Sequence, residues 1–146
     1  MKMKKIYKYI LIIVVLGAII GAGTVYYVFN KPHRNIKDET PAYTYTADDL
    51  YKEYSEDEEA GNMKFGDKVI QVTGKIVEIT NENNDISFVL NDEMESVNCA
   101  LDSMFIKNNK PLIESYNLGG DITLKGKCDG FDMIMGVVLT QCFIVK

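Results

Sequence analysis

The sequence predicts a small, mainly β barrel domain that follows an N-terminal transmembrane helix. Residues 10–29 form an uninterrupted run of twenty residues without a charge. Residues 68–80 alternate apolar and polar side chains, which is the period of a half-buried strand, and Gly74 lies inside this long segment. Because glycine within a strand often marks a sharp bend, this strand can pair with two different neighbours and begin a closed barrel. Four shorter strand-like segments follow it.

The N-terminal segment predicts a membrane anchor. Residues 1–9 form a basic tail with four lysines, and residues 10–29 form the predicted transmembrane helix. A helix of this length spans about 30 Å, which matches the hydrocarbon core of a bilayer. The alternative is a cleaved signal peptide, for which Gly21-Ala22-Gly23 offers small residues at a cleavage site. The apolar run continues to Phe29, beyond what a signal peptide needs, so we favour the uncleaved anchor.

The basic residues around this helix favour an N-terminus in the cytoplasm. Four lysines and the terminal amine precede the helix, whereas Lys31, Arg34 and Lys37 follow it. We therefore expect a single-pass protein of the cell membrane whose C-terminal domain lies outside. Gly17 and Gly21 have the Gly-x-x-x-Gly spacing that packs two such helices, so a homodimer is a second expectation.

Beyond the helix the chain is acidic. In residues 41–146, nine basic and nineteen acidic side chains give a net charge of −10. This charge opposes non-specific binding to nucleic acid, since such binding depends on Lys and Arg contacts to phosphates.

Residues 30–45 contain Pro32, Pro41 and mixed charges with little periodicity, so they are predicted to be a linker. Thr46 followed by two aspartates predicts the start of a helix, because threonine caps a helix and acids suit its first turn. One amphipathic helix is expected, with its acidic face in solvent. Its apolar stripe consists of Ala47, Leu50, Tyr51 and Tyr54.

The remaining strands complete the barrel. They are predicted at residues 86–90, 96–101, 122–128 and 136–145. Residues 102–116 contain Pro111 and are expected to form an irregular connector with a short helix. Five strands with a connector between the third and the fourth have the order of an OB-fold, a partly open Greek-key barrel. The predicted OB-fold domain, including its helix, covers residues 46–146.

Several spaced blocks carry a resemblance to a known family. They are Thr46–Tyr54, Val72–Ile76, Asn98-Cys99, Gly126–Gly130 and Leu139–Val145. These blocks resemble the tRNA_anti-like family, OB-fold proteins of bacteria that are often secreted, lipid-attached or membrane-attached. The resemblance covers about residues 45–146 and implies an OB-fold. The family name implies nucleic-acid binding by analogy with anticodon-binding domains. The chain lacks the lipoprotein cysteine of many members, and the family has no established catalytic residues.

The residues themselves favour a protein or peptide partner over nucleic acid. OB-folds bind single strands on the outer surface of their second and third strands, with stacking aromatics and a basic track. The predicted outer residues include no aromatic side chain; they are Ser87, Val89, Ser96, Asn98 and Ala100. Phe88 would become a platform with the register reversed, but burial in the core is favoured. The flanking loops are acidic, so nucleic acid is ranked second and not excluded.

The loop at residues 129–135 is the other candidate contact site. Phe131, Met133 and Met135, with Ile134 between the two methionines, would form an adaptable apolar patch at a hairpin tip, suited to a protein or peptide. The alternative is that the loop folds over the open end of the barrel. Together with Phe88, these three residues are the ligand-contact candidates.

Three cysteines, Cys99, Cys128 and Cys142, leave several arrangements open. The third and fifth strands of an OB barrel are neighbours, so a disulfide between Cys99 and Cys142 is one possibility, with Cys128 as another partner. Three small buried side chains are the alternative. The only histidine, His33, lies in the predicted linker. We therefore expect no metal site, no cofactor and no catalytic residues, and we predict a binding module rather than an enzyme.

Overall fold

The computed structural model describes residues 2–30, 34–92 and 94–146. Lys31, Pro32 and His33 of the predicted linker therefore lie outside the described residues. The chain forms two compact units, one ending at Arg34 and one beginning at Asn35. In the first, helix α1 (Lys2–Asn30) is long and apolar enough to cross a membrane, with a mean hydropathy of 2.3 over its most apolar window. A Cβ added at Gly17 or Gly21 would find open space within 4 Å, and the predicted dimer stays a prediction.

The segment predicted as a linker is structured from Asn35 onward. Ile36 is buried, and the Lys125 Nζ donates hydrogen bonds to the backbone oxygens of Lys37 (2.6 Å) and Glu39 (3.0 Å). Strand β1 (Tyr43–Thr46) then pairs in parallel with strand β2 (Val69–Glu82). A single buried isoleucine and a strand of four residues leave no periodic pattern in the sequence, which is why this segment was predicted to be a linker.

Two helices replace the single amphipathic helix that was predicted. Helix α2 (Ala47–Glu56) begins as expected, because the Asp49 N–H donates to the Thr46 Oγ1 at 3.1 Å. Asp57 then adopts an extended backbone and caps helix α3 (Glu58–Phe65), with its Oδ1 accepting from the Ala60 N–H at 3.0 Å. The acidic run thus contains a second N-cap, which hid the break from the sequence pattern.

The next five strands form a closed barrel, and two short helices connect its third and fourth strands. They are β2, β3 (Asp85–Asn91), β4 (Ser96–Leu101), α4 (Ser103–Asn108), α5 (Lys110–Glu114), β5 (Asp121–Asp132) and β6 (Gly136–Ile144). The first half of β2 pairs with β5 and its second half with β3. Strand β4 joins β3 to β6, and β6 returns to β5. The predicted five-stranded OB-fold barrel is therefore confirmed, with β1 as a sixth strand in the same sheet.

Gly74 lies where β2 changes partners. Pairing with β5 ends at Lys75, and pairing with β3 begins at Ile76, with a register shift before Glu78. A Cβ on Gly74 would lie 2.9 Å from the Cβ of Ala47 and 3.2 Å from that of Leu90. The glycine is therefore needed for close packing of α2 against the barrel, and the bulge that bends β2 comes after it.

Candidate binding surface

Strands β2, β3 and β4 present one outer face to solvent. From Phe88 to Leu90 and from Val97 to Leu101 the side chains alternate as predicted, with Val89 and Asn98 partly exposed on this face. Phe88 points inward, is fully buried, and contacts the ring of Tyr116 edge-on, with 6.2 Å between the ring centroids. Phe88 is therefore a core residue that no ligand can reach, which removes it from the candidate contacts.

The hairpin between β5 and β6 ends in three exposed apolar residues, Met133, Ile134 and Met135, which we call the exposed tip. Their side chains are 96%, 91% and 46% exposed. The Asp132 Oδ1 accepts hydrogen bonds from the N–H groups of Ile134 (2.8 Å) and Met135 (3.0 Å). These two bonds hold the pKa of Asp132 below its ordinary value, so the base of the tip carries a fixed negative charge.

The candidate Phe131 does not belong to this tip. It lies within β5, where it is half-buried, and its ring centroid is 6.0 Å from that of Tyr51 and 6.1 Å from that of Tyr54. Phe131 therefore packs against α2. Ile134, which belonged to the predicted patch but not to the ligand-contact candidates, is nearly fully exposed and joins Met133 and Met135 at the tip.

The exposed tip is fixed against the outer face. The Ser96 Oγ donates to the backbone oxygen of Met135 at 3.1 Å, and Ser96 is only 5% exposed, although it was predicted to face outward. Gly136 has a φ of 71°, and a Cβ there would collide with the backbone oxygen of Ser96. Only glycine fits this crossing, so the tip has a defined position beside β4.

A groove of about 350 Å³ runs between the tip and the strands. Its lining residues are Val77, Glu78, Thr80, Val89, Ser96, Asn98, Ile134 and Met135. They mix small apolar and neutral polar groups with a single carboxylate, and none of these described lining residues is aromatic or basic. We call this the outer-face groove.

Further carboxylates lie near the end of the groove that Ser96 lines. The Asn91 Nδ2 donates to the Asp48 Oδ1 (3.3 Å) and to the backbone oxygen of Glu95 (3.1 Å), which ties the start of α2 to the turn between β3 and β4. Asn91 is paired with Ser96, which lines the groove. We call Asp48, Asp92, Glu95 and Asp132, all at this end of the barrel, the acidic rim. Asp48, Asp92 and Glu95 are exposed.

A second cleft lies at the opposite end of β3. It has a volume of about 460 Å³, and its lining residues are Asn83, Asn84, Asp85, Ser103, Ile106, Lys107 and Lys110. We call it the basic cleft. Sequence reasoning placed only acids beside the turn between β2 and β3. Helices α4 and α5 bring the two lysines there, and the positions of these helices could not be read from the connector's pattern.

The three cysteines are free thiols in the core. The Tyr54 hydroxyl lies 3.2 Å from the Cys128 Sγ. Burial raises the pKa of the Cys128 thiol, while burial and a hydrogen bond with Cys99 raise that of Cys142. The structure thus brings Cys99 and Cys142 together, as expected for neighbouring strands. Of the predicted arrangements, it has the one with three small buried side chains and no disulfide among these cysteines. Within the described ranges, no group of three or more His, Cys, Asp or Glu side chains could hold a metal ion.

Comparisons with known proteins concern the family and the fold. A family model described as tRNA_anti-like matches residues 1–143. No curated protein matches the chain. The fold is similar to that of a lipoprotein from Klebsiella pneumoniae that is named as a candidate nucleic acid-binding protein; the TM-score is 0.56 at 18% identity, over 70% of this chain and 91% of that one. The S. pombe Stn1–Ten1 complex is similar with a TM-score of 0.40 at 14% identity, over 53% of this chain and 58% of that one.

Proposed function

Because the chain belongs to the tRNA_anti-like family, we propose that it is a membrane-anchored, non-catalytic binding module that holds a protein or peptide in the outer-face groove. The observation that carries this proposal is the pair of nearly fully exposed side chains, Met133 and Ile134, beside a groove lined by valines and neutral polar groups. Exposed apolar side chains that cluster beside a groove are typical of interaction sites. Methionine side chains adapt to partners of different shape.

The same surface is poorly suited to single-stranded nucleic acid. Binding of single strands uses aromatic platforms and a basic track along the backbone. Phe88, the one aromatic residue of β3, is buried in the core. Glu78 lines the groove, and the acidic rim lies near one end of it, so both would repel phosphates.

The test of this proposal uses the exposed tip. The full chain, reconstituted in nanodiscs, is titrated with a library of fluorescent peptides, and the tightest binders are measured again with Met133→Ser/Ile134→Ser. We expect the double variant to lose most of the binding while its unfolding midpoint stays unchanged. Met63→Ser is the matched control, because Met63 is 74% exposed on α3. Unchanged peptide binding by the double variant would refute the proposed site.

We also propose that α1 is an uncleaved single-pass anchor and that the domain lies outside the cytoplasmic membrane. The support is the length and hydropathy of α1 and the excess of positive charge before it. Protease added to protoplasts should remove the domain, and it should leave an N-terminal tag on the cytoplasmic side intact. Full protection of the domain would reverse the orientation.

The second candidate function is binding of single-stranded nucleic acid, and the basic cleft favours it. Lys107 and Lys110 lie beside the exposed amides of Asn83 and Asn84. The Klebsiella lipoprotein of similar fold is itself named for nucleic-acid binding. A titration with single-stranded oligonucleotides at low and high salt decides between the functions. Micromolar, salt-sensitive binding that Lys107→Glu/Lys110→Glu abolishes would replace the peptide by a nucleic acid as the ligand.

A further inference from the structure

We infer that the segment bound in the outer-face groove is a cationic peptide, with one or two apolar side chains flanked by lysine or arginine. This inference rests on the proposed function and names the chemical class of its partner. Its two parts come from two features of the same surface. One is the apolar tip and groove, and the other is a set of nearby carboxylates that form no ion pair among the described residues.

The apolar part of the ligand follows from the shape of the site. Met133 and Ile134 project from the hairpin, and Met135 continues their apolar surface into the groove toward Val77 and Val89. A side chain inserted there would remove apolar surface from water on both sides, which is the main source of affinity in such contacts. Because Ser96 and Gly136 fix the tip against β4, the groove exists before the ligand arrives.

The charge of the ligand follows from Glu78, which lines the groove, and from the acidic rim at one end of it. Within the described residues, acids elsewhere form ion pairs: Glu53 with Lys64 (3.0 Å), and Asp129 (2.8 Å) and Asp67 (3.6 Å) with Lys127. Glu78 and the four members of the acidic rim take part in none of these pairs. Lysine or arginine on a partner would supply the missing positive charge.

The position of one rim carboxylate connects the two features. Asp132 precedes the exposed tip, and its carboxylate is held by the N–H groups of Ile134 and Met135. The same bonds keep its pKa low, so this charge persists in mildly acidic surroundings. A basic side chain adjacent to an apolar anchor would meet Asp132 when the anchor enters the groove.

Matched peptides test the inference. Fluorescent peptides of about twelve residues carry the same two leucine anchors with flanking lysines, glutamines or glutamates, and a fourth peptide keeps the lysines but replaces the leucines by serine. The full chain is held in nanodiscs of phosphatidylcholine, so that the lipid itself does not attract the lysines, and empty nanodiscs serve as the blank. Two or three exposed charge pairs should make the lysine peptide bind about tenfold tighter than the glutamine peptide at low salt. This preference should shrink as added salt screens the pairs.

The rim itself is tested by charge removal. Asp92→Asn/Glu95→Gln should reduce the preference for the lysine peptide severalfold, whereas Glu58→Gln/Glu59→Gln, which removes the same charge from α3, should leave it unchanged. Equal binding of the lysine and glutamine peptides would refute the cationic ligand and leave the binding site standing. Undiminished binding of the serine peptide would show a purely electrostatic contact and refute the inference. If none of the four peptides binds, the proposed function fails as well.

Discussion

Replacing Phe88 and its neighbour Val89 tests the register of β3, on which the whole binding surface depends. Phe88 is fully buried and contacts Tyr116, whereas Val89 is partly exposed and lines the groove. Phe88→Ala should lower the free energy of unfolding by about 3–5 kcal/mol, because it removes a buried ring and leaves a cavity. Phe88→Leu, which keeps most of the side-chain volume, should cost about 1–2 kcal/mol. Val89→Ala, near the surface, should cost about 0.5 kcal/mol.

Denaturant unfolding measures these differences. The protein has nine tyrosines and no tryptophan, so the near-ultraviolet circular dichroism of tyrosine follows the barrel, while α1 remains helical in detergent. Because Phe88→Ala could remove much of the stability of a small domain, Phe88→Leu provides the variant that stays folded. Val89→Ala should instead weaken peptide binding. A larger loss of stability for Val89→Ala than for Phe88→Leu would mean that the register is reversed and that Phe88 faces solvent.

Three further predictions concern pH and assembly. Burial raises the pKa values of Tyr54 and Cys128, so the stability they contribute is fully present below the ordinary values of 9.0 for the thiol and 10.0 for the phenol and falls as the pH rises above them. Tyr54→Phe removes only the phenol, so it should make the denaturation midpoint less dependent on pH above about 10. The pKa of Asp132 is lowered from 3.8, so its carboxylate contributes stability that is present above pH 3.8 and is lost as the pH falls through the lower pKa of the folded state. Asp132→Asn should therefore make the denaturation midpoint less dependent on pH in this acidic range. If α1 dimerises as predicted, Gly17→Ile and Gly21→Ile should each shift the full chain toward monomer in analytical ultracentrifugation in detergent, and an unchanged distribution would contradict the helix contact.

The features that sequence reasoning predicted correctly are local or periodic. Alternation along 68–80 and 96–101 placed the strands, since a half-buried strand imposes a period of two on its own sequence. Thr46 predicted the start of α2, because a cap acts over three residues. The closure of the barrel followed from the number and order of the strands and needed no knowledge of individual contacts.

The features that were missed depend on contacts between distant parts of the chain. Phe131 was assigned to a loop because it follows Asp129 and Gly130, residue types that are common in turns, although β5 continues to Asp132. Its partners, Tyr51 and Tyr54, are on α2, far away in sequence. The position of Lys107 and Lys110 beside the turn between β2 and β3 likewise depends on how two short helices pack, which no local pattern records.

The distribution of charge over the outer face supports the proposed preference for a cationic peptide over a nucleic acid. A polyanion that entered the basic cleft at Lys107 and Lys110 and ran along β3 would next meet Glu78 and then the acidic rim at Asp92 and Glu95. Because the phosphates and these carboxylates carry like charges and repel one another, we expect contact with a nucleic acid to be restricted to a few nucleotides at the cleft. A cationic peptide entering from the exposed tip meets attraction along the rim and apolar surface in the groove. The two ends of β3 therefore favour ligands of opposite charge, and only the end that carries the exposed tip also offers apolar surface to anchor one.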